Sequence, residues 1–339
     1  MVAEKERIEN RTVIQPIQKT YKTVVLGNGF DLNLNLPTSY KDFIASPIFE
    51  ETRNEGNKLC EYVYERYKGA NWVDVENILK EYAKKGVPEK DFFNEYENLK
   101  TTLKDYVKSI EANALVSSDK SKAMSQIVGD ICMDTTIRRE NVYTTILNFN
   151  YTNSIGFVLC NKYSWLKDCI DLSDIVNFAD IPIELHNVHG TVNTDIILGV
   201  EDTADIPVEY NFIKKTYSKS YRNYTNKLLA CDELVIFGHS LGETDESEFR
   251  PFFQQQISDD AISKKIIIWH KGNDGRRELI HRLDALTDNQ THRLSRRNHV
   301  EFRDVDTYES PFLKDLANAI GLLHVAYNDI RNIFKQIWH

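Results

Sequence analysis

The stretch that decides the fold runs from Thr23 to Phe43 and reads TVVLGNGFDLNLNLPTSYKDF. It opens with an apolar segment of strand length that ends at Gly27-Asn28-Gly29. Two glycines at the end of a strand permit a tight turn and let backbone N–H groups approach a phosphate. The third glycine of a G-x-G-x-x-G motif is absent, because Leu32 stands at its position. The turn therefore predicts a strand followed by a helix and is compatible with a nucleotide site without establishing one.

Apolar segments of the same kind recur along the chain. Several are apolar throughout rather than alternating, which is typical of strands covered on both faces of a parallel sheet. Residues 40–140 carry apolar residues at helical spacing over more length than one crossover helix requires. We predict a single α/β domain over residues 1–339, with a Rossmann-like, mainly parallel sheet, a helical insertion at 40–140 and C-terminal helices at 306–339. Strands are expected at 22–30, 142–151, 182–190, 194–200, 232–240, 264–270 and 299–305.

Composition limits the class of protein. The chain has 339 residues, of which 41% are hydrophobic and 27% charged, and its net charge is -9. An acidic chain of this kind is not drawn to nucleic acid by its overall field. Its five cysteines form no C-x-x-C pair, which argues against a disulfide framework or a zinc ribbon. The sequence shows neither a secretory signal nor an apolar stretch approaching the roughly 20 residues of a membrane span. We expect a cytoplasmic protein without membrane contact.

Polar residues mark the ends of two predicted strands. Asn148, Asn150 and Asn153 cluster at the C-terminal end of the second strand, and His186 and His189 lie around the end of the third. Asparagine is depleted in strands, so these residues indicate either turn chemistry or amides that face a ligand. The histidines are either structural or part of a polar site, and no matching Cys/His pair supports zinc, so we expect no metal. In a parallel sheet these ends meet the glycine turn at one edge, where α/β folds bind ligands.

A later corner, GHSLG at 238–242, has the G-x-S-x-G spelling of a hydrolase nucleophile elbow. The residues that follow are bulky and acidic, whereas an elbow helix starts with small residues that pack closely on the strand. We therefore interpret this corner as part of a nucleotide pocket. Gly238 would allow close backbone approach, Ser240 would offer a hydrogen bond, and Asp245 would either contact a ribose or cap the next helix.

With these segments in order, the chain resembles the AbiH family of bacterial phage abortive-infection proteins. It is also similar, more distantly, to the sirtuin-like NAD-consuming domains of bacterial defence. The second resemblance puts Asn150 at the catalytic asparagine and His189 at the catalytic histidine. Thr152 replaces the aspartate of that pattern, and no paired-cysteine zinc module is present. The segments that match the AbiH family are GNGFDL at 27–32, LPTSY at 36–40, W-x-D-x-E at 72–76, NFNYT at 148–152, His189-Gly190, and GHSLG at 238–242 with Asp245.

The resemblance implies that NAD, or a related nucleotide, binds at the carboxyl edge of the sheet and is hydrolysed, which depletes NAD and stops phage growth. Asn150 and His189 would be catalytic. We also expect a phage component as trigger and consider a homo-oligomer. The alternative is a nucleic-acid-acting protein or a non-enzymatic nucleotide sensor. The expected nucleotide contacts are Gly27, Asn28, Gly29, Phe30, Asp31, Tyr151, Gly238, His239, Ser240 and Asp245.

Three further features have two interpretations each. Trp72, Asp74 and Glu76 are either accessory site residues with an acidic pair in the pocket, or a helix cap beside a buried tryptophan. Asp31 either caps a helix, the more common role, or binds a ribose hydroxyl. The segment 212–229 mixes lysines and an arginine with tyrosines, which fits a solvated helix face better than a single-strand binding surface.

Overall fold

The computed structural model describes residues 19–68, 74–114, 131, 142–162, 175–177 and 183–308. Three sequence predictions lie wholly or partly outside these ranges. They are the placement of Trp72, the part of the helical insertion at 115–140 other than residue 131, and the helices expected at the C-terminus beyond residue 308.

The described residues contain one seven-stranded sheet. Its strands are β1 Thr20–Leu26, β2 Val142–Asn148, β3 Ile175–Asn177, β4 Ile183–Asn187, β5 Glu233–Phe237, β6 Lys265–His270 and β7 His299–Asp304. The spatial order is β3-β4-β2-β1-β5-β6-β7, and every neighbouring pair is parallel except β3 with β4. The predicted Rossmann-like, mainly parallel α/β sheet is confirmed.

Helices pack around this sheet, and the described residues between β1 and β2 are mostly helical. The helices are α1 Asn28–Asn33, α2 Tyr40–Ile44, α3 Pro47–Asn54, α4 Lys58–Tyr67, α5 Val75–Ala83, α6 Glu89–Ala114, α7 Ser154–Lys162, α8 Thr225–Ala230, α9 Glu246–Ile257, α10 Gly272–Leu286 and α11 Thr291–Arg297. Short 3-10 helices occur at Val208–Ile213, Lys215–Tyr217 and Glu243–Asp245. No helix among the described segments has the length and apolarity that crossing a bilayer would take.

Helices α2 to α6 form the insertion, and they have an apolar core of their own. Ser39 and Asp42 make a reciprocal capping box at the start of α2, which fixes where the insertion begins. Phe43 packs edge-on against Phe49, and Phe92 packs edge-on against Tyr82. The helical character predicted for residues 40–140 is thus seen as far as Ala114.

The strand predicted at 194–200 is wrong. The structure has only an isolated parallel bridge there, between Val200 and Lys214. Ile196 and Leu198 are buried in the core of the insertion instead, and the Tyr96 hydroxyl donates to the Leu198 carbonyl at 2.5 Å. A covered loop and a buried strand have the same apolar pattern, because both are surrounded by apolar partners.

The three central strands end side by side. Leu26 at the end of β1 pairs with Asn148 of β2 on one side and with Phe237 of β5 on the other. Apolar side chains cover both faces of this part of the sheet, including Val24 and Val25 on opposite faces. Three parallel strands therefore deliver their following turns to one edge, and the insertion lies over it.

Candidate functional site

The glycine turn after β1 packs directly on the end of β5. Gly27 N–H donates to the Phe237 carbonyl at 3.0 Å, and Gly29 N–H donates to the Gly238 carbonyl at 2.8 Å. A Cβ on Gly29 would lie 2.6 Å from the Gly238 Cα, and one on Gly238 would lie 2.4 Å from the Phe30 nitrogen. The glycines are needed for this close approach. The expectation that the Gly27 and Gly29 N–H groups face a phosphate is wrong, because both are bonded within the protein.

Phe30 and Asp31 also differ from their predicted roles. Phe30 is fully buried against Phe237, with ring centroids 6.0 Å apart, so it belongs to the core and not to the nucleotide contacts. Asp31 lies inside α1, not at its cap, and accepts hydrogen bonds from the hydroxyls of Thr152 at 2.6 Å and Ser154 at 2.5 Å. Burial raises the pKa of Asp31 to about 6, against the effect of these hydrogen bonds.

The asparagines at the end of β2 and in the turn that follows it divide between the two predicted roles. Asn148 is fully buried and donates to the Thr152 carbonyl and to Asn187 Oδ1, both at 2.9 Å, while its own Oδ1 accepts from Asn150 Nδ2 at 2.9 Å. Asn148 therefore shapes the turn. Asn150 faces the cavity, and its buried Oδ1 has no hydrogen-bond partner in the described structure. Asn153 lies outside the cavity lining.

Around Asp245, one carboxylate holds three cationic or ionisable groups. Its Oδ1 lies 2.6 Å from Lys215 Nζ and 3.2 Å from His189 Nε2, and its Oδ2 lies 3.3 Å from His239 Nε2. The Leu241 N–H donates to His239 Nδ1 at 3.0 Å. Because a carboxylate only accepts, the hydrogen of each imidazole resides on Nε2. This leaves Nδ1 of His189 as its basic atom.

Burial and the neighbouring charges set the protonation of this cluster. Burial lowers the pKa of His189, and Lys215 and His239 lower it further, although Asp245 acts in the opposite direction. Burial alone would raise the pKa of Asp245, but Lys215 and His189 hold it well below its usual value. The cluster at neutral pH is therefore a Lys215–Asp245 ion pair beside a neutral His189. Asp245 makes no side-chain cap bond to α9, so its predicted capping role is wrong.

Lys215 corrects the interpretation of the segment 212–229 as a solvated helix face. Its side chain is only 8% exposed, and its ammonium group also donates to the Thr244 carbonyl. Lys227 of the same segment pairs with Glu184 at 2.8 Å. The local charge pattern could not show this, because the partners lie far away in sequence. Lys215 does not line the cavity, but it is the main residue of the Asp245 cluster that sequence reasoning missed.

Ser240 is exposed at the edge of the cavity, and no histidine of the described residues bonds it as a base. His189 and His239 both use Nε2 for Asp245, and neither bonds Ser240. The helix after this corner, α9, begins only at Glu246, whereas an elbow serine stands directly at the strand-to-helix turn. The geometry therefore favours the interpretation of the corner as a pocket wall.

The insertion supplies the other wall. Asp74 caps α5 by accepting from the Asn77 N–H at 2.9 Å, and Glu76 reaches into the cavity. The Tyr40 hydroxyl donates to Glu76 Oε1 at 2.7 Å and lies 3.3 Å from the Tyr151 hydroxyl. Burial raises the pKa of Glu76 to about 7. Asp74 thus caps α5 and also lines the cavity, and Glu76 lines the cavity without a capping role.

Together these elements enclose a cavity of about 510 Å³, a size usual for small-molecule sites. The sequence predictions missed the cavity-lining residues of α6 and α10. The residues at the strand ends carry no information on where these helices pack. Lining residues predicted from the sequence are Gly27, Asn28, Gly29, Asp31, Asp74, Glu76, Asn150, Tyr151, His189, Gly238, His239, Ser240 and Asp245; those missed include Tyr40, Leu103, Tyr106, Val107 and Arg282.

His186 and His189 have separate surroundings. His186 lies against Glu184 and the Tyr224 ring, whereas His189 contacts Asp245, with its ring 5.9 Å from that of Tyr151. Within the described ranges no group of three or more His, Cys, Asp or Glu side chains is arranged to hold a metal ion.

A mainly parallel sheet whose polar strand ends and helical insertion enclose a cavity defines an α/β protein with a candidate small-molecule site. The family model described as bacteriophage abortive infection AbiH matches residues 23–267. The chain belongs to the AbiH family, and the family supports a role in phage defence by abortive infection. The matched range contains the insertion and the ends of β1, β2, β4 and β5. A search of the curated proteins found no match.

Proposed function

We propose that this AbiH protein binds NAD, or a related nucleotide, in the cavity and hydrolyses the bond between ribose and nicotinamide. The observation that carries the proposal is the convergence of Asn150 and His189 on one cavity. The first offers an unpartnered buried acceptor, and the second offers a neutral imidazole held by a carboxylate.

Asn150 would orient the ribose. A buried carbonyl oxygen without a partner costs free energy, and a ligand hydroxyl that donates to it removes this cost. The Asn150 side chain cannot easily turn away, because its Nδ2 is bonded to Asn148. The acceptor is thus prepared before the ligand arrives.

His189 would act as the base. When the glycosidic bond breaks, its electron pair leaves with nicotinamide and the ribose carbon becomes oxocarbenium-like. Water then attacks this carbon and releases a proton, which His189 Nδ1 accepts. Asp245 holds the Nε2–H of the ring and stabilises the imidazolium as it forms.

Positive charge for the phosphates would come from side chains and not from the glycine turn. Lys41 and Arg282 line the cavity from α2 and α10, and both are at least partly exposed to solvent. Their charges would face the pyrophosphate, in place of the N–H groups that Gly27 and Gly29 use within the protein.

The test is purified protein incubated with NAD, NADP and ATP, followed by chromatography of the products. We expect nicotinamide and ADP-ribose from the wild type and a loss of about 100-fold or more in His189→Ala, as for removal of a general base. Asn150→Ala should also lose activity. His281→Ala is the matched control, because His281 is exposed on α10.

Two outcomes would replace the proposal. Saturable nucleotide binding without any product would favour the non-enzymatic sensor. Tight nucleic-acid binding that falls steeply with salt, without nucleotide turnover, would favour the nucleic-acid-acting alternative.

A further inference from the structure

Lys215 stands behind the site, not in it. It does not line the cavity, and it reaches Asp245 from the 3-10 helix Lys215–Tyr217. Its ammonium group makes two contacts, to Asp245 Oδ1 at 2.6 Å and to the Thr244 carbonyl. A buried ammonium is costly unless it is paired, so the Lys215–Asp245 pair is the main charge compensation at this depth.

The charge balance of the cluster depends on this lysine. Asp245 carries one negative charge, and Lys215, at 2.6 Å, compensates it with one positive charge while His189 stays neutral. Without Lys215, the buried carboxylate would have only the two imidazoles to compensate it. One of them would then take up a proton, because a buried unpaired carboxylate is more costly than an imidazolium–carboxylate pair.

We propose that Lys215 is a positioning residue that compensates Asp245 and thereby keeps His189 uncharged and able to accept a proton. Asp245 alone would orient the ring but would also favour its protonated form. The lysine separates these two effects: the carboxylate still holds the Nε2–H, and Nδ1 stays free of hydrogen. The catalytic meaning of this arrangement rests on the proposed function, whereas its effect on the His189 proton does not.

Three further carboxyl groups and one tyrosine ring lie near the Asp245 cluster. Glu76 from α5 and Glu201 from the loop after the Val200 bridge both interact with Lys215. Glu248 of α9 lies near enough to Asp245 for the two carboxylates to repel each other, and the Tyr151 ring lies over His189. All three carboxyl groups would remain after removal of Lys215, and in their ionised form their negative charge would favour a protonated histidine.

The experiment is a histidine NMR titration of the full-length chain, comparing wild type with Lys215→Met. His189 is assigned by the signal that disappears in His189→Gln. We expect the His189 pKa to rise by at least one pH unit in Lys215→Met, as for removal of a neighbouring positive charge. Lys219→Met is the matched control, because Lys219 lies four residues further on and is exposed. An unchanged or lower His189 pKa in Lys215→Met overturns the proposal.

Two further variants keep the test decisive if Lys215→Met does not fold. Lys215→Arg retains the charge and should leave the His189 pKa near its wild-type value. Asp245→Asn removes the carboxylate and should lower it, since Lys215 then acts unopposed. A raised or unchanged value in Asp245→Asn would refute the charge balance.

The titration also separates this inference from the proposed function, because it needs no NAD. If NAD is not cleaved but the His189 pKa shifts as expected, the charge balance stands and the NADase proposal fails. If NAD is cleaved and the His189 pKa does not shift, the role of Lys215 is wrong and the NADase proposal stands. In an active enzyme, the acid limb of the kcat/KM profile should move to higher pH in Lys215→Met and not in Lys215→Arg.

Discussion

Replacement of Gly238 by alanine tests how the two strand ends are joined. Gly238 has a φ of +66°, and a Cβ there would lie 2.4 Å from the Phe30 nitrogen and 2.6 Å from the Gly29 carbonyl carbon. These are backbone atoms, which cannot turn aside as the end of a flexible side chain can. The substitution therefore forces the glycine turn and the end of β5 apart.

The expected loss of unfolding free energy in Gly238→Ala has two parts. An alanine in the left-handed region costs about 1–2 kcal/mol. Forcing an extra methyl group into closely packed backbone costs about 1–3 kcal/mol more. We expect Gly238→Ala to lower the free energy of unfolding by roughly 2–5 kcal/mol, as measured by urea denaturation with circular dichroism.

Gly86 supplies the matched control. Its φ is +69°, and nothing lies within 4 Å of the Cβ position. Gly86→Ala should lose stability only through the left-handed backbone conformation. The difference in unfolding free energy between the two variants therefore measures the cost of crowding at Gly238. If Gly238→Ala destabilises the protein no more than Gly86→Ala does, the account of the glycine turn as a packing device is refuted.

Three other substitutions test single statements about the site. In Glu76→Gln the acceptor for Tyr40 remains, but the carboxyl, whose folded pKa of about 7 exceeds the ordinary 4.5, is gone. A carboxyl with a raised folded pKa stabilises the wild type below about pH 4.5 relative to neutral pH, and this advantage is lost as the pH rises through 7. The difference in unfolding free energy between pH 5 and pH 8 should thus be smaller in the variant by up to about 3 kcal/mol, checked by denaturation at both pH values. Phe30→Ala should cost about 3–5 kcal/mol of stability while NAD turnover per folded molecule is retained, because the ring is core and not a ligand contact. Ser240→Ala should weaken NAD binding in calorimetry and leave turnover measurable; complete loss of turnover with intact binding would instead identify a nucleophile.

The sheet and the edge that carries the cavity are predictable from the sequence for a physical reason. Strands covered on both faces are apolar throughout, and polar residues directly after them stand out against that background. In a parallel sheet all such ends meet at one edge. The sequence alone therefore predicts that Asn150, His189 and the corner at 238–242 lie close together.

The failures have equally specific causes. Phe30 and Asp31 are adjacent in a turn that resembles a phosphate loop, but helix α1 directs Phe30 into the core and Asp31 toward the hydroxyls of Thr152 and Ser154. In a helix as short as α1, a sequence motif does not show which side chains face the core. The glycines have two possible uses, approach to a ligand and approach to another strand, and only the hydrogen bonds of Gly27 and Gly29 decide between them.

Lys215 shows most clearly what the local sequence cannot predict. A lysine in a basic, tyrosine-containing segment predicts a solvated surface. Its burial depends on Asp245, thirty residues further along the chain, and on a 3-10 helix that brings the two together. Buried ion pairs of this kind arise from tertiary contacts, and the local sequence carries no trace of them.

The most direct test of the account measures intracellular NAD during phage infection of cells that express the wild type, His189→Ala or His281→Ala. The account predicts that NAD falls and phage growth stops with the wild type and with His281→Ala, and that neither happens with His189→Ala. Protection from phage with unchanged NAD in wild-type cells would contradict it.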